Sequence, residues 1–324
     1  MKKPLLKDPI VKDPVNCPLA DYEKENQLSQ KERSPCAPWY QTSVIKMNSS
    51  FLECTDVLSA HRGFVTTFML PLLLMPLSAM LFGIGITVER WSTYSAEEQQ
   101  SELVFTITEL IVTSLLSWAI LWVMCRECFR YTHYPMRFNR KTRKVYVFRH
   151  DGTAMIEDWN KLYFTHIKAG PGDRKVVFFR LAEDRDTVLE RFVLPFVADE
   201  NEHFLFAQWE FVRRYMEEPD ALPHLAGQVE HVQDVADRRE TWLHGFKRLM
   251  LEYAGGFPLL MVIMSPIVFL LSIGRWISVQ TCTVPIWSEE VEKECQIEPN
   301  DPYIRDRDHL SKPGTVPKPE GAQW

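Results

Sequence analysis

The feature that most constrains this chain is a run of 25 residues without a charge, Phe64 to Val88, FVTTFMLPLLLMPLSAMLFGIGITV. About 20 apolar residues in a helix cross the hydrocarbon core of a bilayer, so this run predicts a transmembrane helix over 64–88. Two further runs, 103–124 and 257–279, predict a second and a third. Averages conceal them: 25% charged residues and a mean hydropathy of -0.19 are ordinary for a soluble protein. Pro71, Pro76 and Pro266 lie inside the runs and predict kinks, whereas Pro258 falls in a first turn, where proline is tolerated.

The segments between the runs fix the expected topology. Residues 1–60 are rich in Lys, Glu and Pro, which predicts a disordered N-terminal tail. The stretch 89–102 is a short loop with Trp91 and Tyr94 at belt positions. Arg126, Arg130, Arg137, Arg140, Lys141, Arg143 and Lys144 follow the second run, and Arg238, Arg239, Lys247 and Arg248 precede the third. The loop carries only Arg90, and the 20 residues after Val279 only Lys293. The positive-inside rule then places the N-terminus and central region in the cytoplasm, and the loop and tail 280–324 outside. Arg275 is expected to snorkel at the end of the third helix, beside Trp276.

Within the second run, Thr106, Glu109, Thr113 and Ser117 recur at helical spacing as a polar stripe. It reads as an interhelical hydrogen-bonding seam, or alternatively as a proton or ion path in an oligomeric channel using Glu109. Between the second and third helices, 131–217 reads as a folded domain. MRF and KVYVFR flank the turn NRKTRK, MIEDWNKLYFTHI follows Asp151-Gly152, and KVVFFRL and LERFVLPF come next. The period then changes to helical in NEHFLFAQWEFVRRYMEE. The expected fold class is an α+β membrane protein: three transmembrane helices plus a small antiparallel β-barrel-like domain closed by a C-terminal helix. Residues 227–254 read as an amphipathic juxtamembrane helix.

The strand succession with its closing helix resembles a bacterial pleckstrin-homology-like domain tethered to membrane helices. More specifically, YPMRFNRKTRKVYVFRHDG over 134–152, followed by Asp158-Trp159, is similar to a proteobacterial family of unassigned function found near type VI secretion genes. The resemblance covers about 61–280. It implies a bacterial inner-membrane protein from a contact-dependent secretion neighbourhood, acting as an effector immunity or accessory protein through protein–protein recognition, and both tails lie outside the match. The family lends no catalytic residues.

The search for chemistry turns up little. Cys125-Arg-Glu-Cys128 is a single CxxC at a helix end, without the second pair that a zinc site needs. No HExxH, GxSxG, P-loop or GxGxxG occurs, so the expectation is no enzyme activity, no metal and no cofactor. Cys282 and Cys295 bracket an acidic stretch in the expected periplasmic tail, where a disulfide is expected. Arg137, Arg140, Lys141, Arg143 and Lys144, with Trp242, Lys247 and Arg248, are candidates for contact with the membrane surface or a protein partner. Exposed aromatics do not interleave with the basic hairpin, so no nucleic acid is expected. A lipid-sensing membrane scaffold is the remaining alternative, and oligomerisation is compatible with each reading.

Overall fold

A computed structural model describes residues 15–56, 59, 62–168, 174–198, 202–233, 235, 238–254 and 257–309. Its first five strands are β1 (Cys17–Pro18), β2 (Gln27–Leu28), β3 (Val44–Met47), β4 (Phe51–Cys54) and β5 (Met136–Asn139). The next five are β6 (Lys144–Phe148), β7 (Ala154–Asp158), β8 (Tyr163–Lys168), β9 (Arg174–Leu181) and β10 (Thr187–Ala198). They form two antiparallel sheets, ordered β1-β10-β9-β8-β2 and β3-β4-β5-β6-β7.

The expected barrel is therefore corrected to two sheets, neither of them closed. The run MIEDWNKLYFTHI is not one strand, because Asp158 accepts a hydrogen bond from the Asn160 N–H at 2.8 Å and turns the chain at Trp159. β7 thus stays in one sheet and β8 opens the other. Both contribute to one core, with Phe138, Val145 and Met155 from one sheet and Phe164, Val176 and Phe178 from the other. Helix α4 (Glu202–Glu217) closes that core through Leu205, Trp209, Val212 and Tyr215. Trp159 and Trp209 stack at its centre, 6.0 Å apart.

The N-terminal segment departs from expectation as well. Over residues 15–56 it supplies β1–β4 and a short helix α1 (Asp21–Glu25), and Tyr40, Val44, Met47 and Leu52 enter the core. Its polar residues are matched by ion pairs, Lys31 with Glu217 and Arg33 with Glu218. Low average hydrophobicity concealed these short strands, of which β3 and β4 bury their apolar residues and β2 half-buries Leu28. Residues 1–14 lie outside the described residues.

Three helices are long and apolar enough to cross a membrane: α2 (Phe64–Arg90, its apolar stretch continuing to Thr93), α3 (Ala96–Met124) and, further along, 258–281. α3 begins earlier than its apolar run because Ser95 and Glu98 form a capping box. β4 and β5 are hydrogen-bonded neighbours, with Cys54 opposite Met136. The whole α2–α3 hairpin is thus an insertion between two adjacent strands.

The second helical excursion follows the same plan. After α5 (Leu222–Gln228) the chain runs beside β3, where the Gln233 N–H donates to the Val44 carbonyl. Helix α6 covers Trp242–Ala254, so the expected helix from 227 is confined to its second half. Then comes α7 (Pro258–Thr281). Four Cα steps separate Ala254 from Pro258, at most about 15 Å, whereas α7 is about 36 Å long. The end of α6 therefore lies at the start of α7. At the other end, Trp242 Nε1 donates to Ser272 Oγ at 3.0 Å, so the two helices are antiparallel.

Beyond α7 the chain rejoins the sheets. Tyr131 bridges Thr283, Met47 bridges Arg305, and the short helix α8 (Glu289–Glu294) lies over β4–β6. Trp287 and Val291 join Phe51, Tyr131, Tyr146 and Phe148 in a second apolar cluster. Placing this tail across a membrane from the domain is therefore corrected: residues 283–309 are part of the domain. Replacing Trp287 with Ala should cost about 3–5 kcal/mol of domain stability, measured as a lowered thermal midpoint of the full chain in detergent.

Candidate functional site

The densest buried polar structure lies where both helical hairpins leave the sheets. Glu127, just past α3, caps α2: its carboxylate accepts the Gly63 N–H at 2.5 Å, the Thr66 N–H at 2.8 Å and the Thr66 hydroxyl at 2.5 Å. A carboxylate suits this place because the first N–H groups of a helix lack partners and carry positive partial charge. Arg62 Nη1 donates to the Glu127 carbonyl at 2.8 Å and lies 3.2 Å from Cys282 Sγ, which joins the end of α7 to the same point. Arg239 Nε donates to the Cys282 carbonyl at 3.1 Å.

Arg275 is the hub. Its Nε and Nη2 meet Glu240 Oε2 at 2.8 and 2.7 Å, and its Nη1 donates to the carbonyls of Ser59 and Arg62 at 2.9 and 3.2 Å. Both charged side chains are only 3% exposed. The expectation that Arg275 snorkels to an interface is therefore corrected: it is buried against a carboxylate from the approach to α6. Close approach makes this possible. Gly63 has φ 96° and lies against the Arg275 backbone, while Gly274 lies against Thr67, and a Cβ at either would overlap its neighbour. His133 is buried beside this junction, hydrogen-bonded to the Thr132 hydroxyl at 2.9 Å. Burial, with Arg62 and Arg248 nearby, pushes its pKa down to about 3, so its ring is neutral at physiological pH.

A second polar structure joins the basic hairpin to the tail. Arg137 is buried between Glu53 at 3.2 Å and Glu292 at 2.9 Å, with its guanidinium over the rings of Phe51 and Trp287. Lys144 and Tyr146 both reach Glu294, at 2.7 and 2.5 Å, and Lys141 pairs with Glu298. Arg143 turns the other way, to Glu217 at 2.5 Å, and Arg140 lies over Tyr215. The hairpin cations expected to meet a membrane surface or partner are thus committed within the chain. Sequence distance hid this: more than 140 residues separate each lysine from its glutamate.

The remaining expected residues are placed as follows. Thr106 Oγ1 lies 2.9 Å from Thr87 Oγ1, Glu109 packs against Gly83, and Thr113 and Ser117 are buried, so the stripe lies in the α2–α3 contact. Lys247 is exposed on α6. Cys282 and Cys295 are both free and sit in different clusters, Cys282 at Arg62 and Cys295 at Asn139, which corrects the expected disulfide. No group of three or more metal-binding side chains occurs among the described residues. Arg62, Glu127 and Glu240 escaped the sequence reading. The two glutamates had one signal, an acid beside a basic residue at a helix end, in Arg126-Glu127 and Arg239-Glu240, and Arg62 had none.

A model described as a family of unknown function (DUF6708) matches residues 113–299, more than half of the chain. The chain belongs to the DUF6708 family. The matched region runs from mid-α3 through α8, so it contains Glu127, Glu240, Arg275, the basic hairpin and the acidic helix that covers it. It omits α2 and the N-terminal strands. No curated protein and no solved structure matches the chain.

Two outcomes follow. Arg275→Leu strands Glu240 in a buried site and should cost about 3–5 kcal/mol, while the double variant Arg275→Leu/Glu240→Leu should recover most of it; thermal midpoints of the four proteins check this. The second concerns acid. Hydrogen bonds from Lys144 and Tyr146 hold Glu294 below its ordinary 4.5, and Lys141 does the same for Glu298. A depressed folded-state value contributes stability that is present above the unfolded value and lost as pH falls through the folded one. Spin labels on Glu290→Cys and Asp151→Cys should therefore report a narrow distance at neutral pH that broadens as pH falls below about 4.5.

Proposed function

We propose that this chain is an integral protein of a bacterial inner membrane that recognises a partner protein as an effector immunity or accessory factor of a type VI secretion system. One observation carries the platform part of this reading: both helical hairpins leave and rejoin the same sheet system through one buried junction. Such a body anchors a recognition domain rigidly to a membrane. The N-terminal segment, the sheets and the tail then share one compartment, which the positive-inside rule makes the cytoplasm: Arg126, Arg130, Arg238 and Arg239 flank that end and only Arg90 the other. α6, about 20 Å long, is shorter than a core of about 30 Å, so α6–α7 enters and returns on the cytoplasmic side.

The secretion assignment rests on the likeness of 134–152 and Asp158-Trp159 to a secretion-associated family. A pleckstrin-homology-like domain is supported by the strand succession and by α4, which lies across the core that both sheets share. The channel alternative loses support from the position of Glu109, whose carboxylate packs on Gly83 inside the α2–α3 contact.

Deleting the gene should sensitise cells to attack by sister cells, or silence delivery of one effector, and a copy on a plasmid should restore the wild-type behaviour. Unchanged competition together with unchanged secretion contradicts both versions.

A further inference from the structure

The cations of the basic hairpin are neutralised inside the chain, but a different set at the helix ends is not. Arg126, Arg239 and Lys247 are exposed, and none has a carboxylate partner among the described residues. Arg126 and Arg239 lie at one level. The Arg239 guanidinium is 3.1 Å from the Cys282 carbonyl, Cys282 Sγ is 3.4 Å from the Glu127 carbonyl, and Arg126 is the residue before Glu127. Deeper along the helices come three exposed tryptophans, Trp122, Trp242 and Trp276. Trp122 is five residues before Glu127 and Trp276 six before Cys282, about 7–9 Å further in at 1.5 Å per residue. The Arg126 guanidinium sits 4.2 Å above the Trp122 ring.

Aromatic rings in the interface with free cations one headgroup layer above them is the arrangement that anionic phospholipids satisfy. We propose that Arg126 and Arg239 form a collar that binds the phosphate of anionic phospholipids in the leaflet facing the sheets. The collar rests on the membrane reading above but not on the secretion assignment. It moves lipid contact away from the hairpin and onto the helix ends, where the cations have no internal acid to meet.

The full chain, with its ten tryptophans, is reconstituted in dibrominated phosphatidylcholine vesicles containing rising phosphatidylglycerol. Relief of tryptophan quenching gives the preference for the anionic lipid. Arg126→Gln/Arg239→Gln should lower that preference about five-fold per arginine and about 25-fold for the pair, the ratio that ~1 kcal/mol per basic residue corresponds to. Lys141→Gln/Lys144→Gln should leave it unchanged. In the wild-type protein the preference should fall with added salt, a readout that stands even if the arginine variant fails to fold. An equal preference in wild type and the arginine pair, a salt-independent preference, or its abolition by millimolar inorganic phosphate would overturn the proposal. Failure of the protein to enter vesicles at all would instead refute the membrane reading.

Discussion

Two charged side chains, Glu240 and Arg275, meet out of contact with water at the point where the α2–α3 and α6–α7 hairpins leave the sheets. Taking two charges from water costs several kcal/mol per ion, which their attraction offsets only with good geometry and additional hydrogen bonds. Here the carbonyls of Ser59 and Arg62 supply them. One guanidinium thus fixes the approach to α6, the end of α7 and the turn that starts α2. Remove its carboxylate, and all three lose a shared anchor. Glu127 completes the arrangement from α3 by occupying the N-terminus of α2, so each helical hairpin is tied to the other as well as to the sheets.

This junction explains the connectivity. An insertion between adjacent strands must bring its two ends back to within one strand spacing, about 4.8 Å. The α2–α3 hairpin does so between β4 and β5. The α6–α7 hairpin leaves from the segment beside β3 and returns to the bridges at Thr283 and Arg305. Charge follows the same logic. The tail's glutamates lie over β5 and β6 because those strands carry Arg137 and Lys144, and the tail can reach them only from the same side.

How much of this was legible in the sequence depends on the range of the interaction. The apolar helices follow from runs of uncharged residues, and the hairpin of β5 and β6 follows from local alternation and turn chemistry. α4 follows from its helical period. What the sequence concealed is non-local. Two-residue strands such as β1 and β2 carry no periodicity. The acidic stretch 289–298 looked like an exposed tail because its cations lie far back in the chain, at Arg137, Lys141 and Lys144. A search for long apolar runs also passes over α6, because Lys247, Arg248 and Glu252 interrupt it although it packs along α7.

On the proposed topology the tail and the sheets occupy one compartment. Single cysteines at Asp151 in the domain, Glu290 in the tail and Glu97 at the α2–α3 turn, in a background lacking the native cysteines, test it with a membrane-impermeant maleimide. In intact cells with a permeable outer envelope, only the Glu97→Cys protein should be labelled, and the other two should react together once the inner membrane is opened. Labelling of Glu290→Cys in intact cells, with Asp151→Cys protected, would contradict the account.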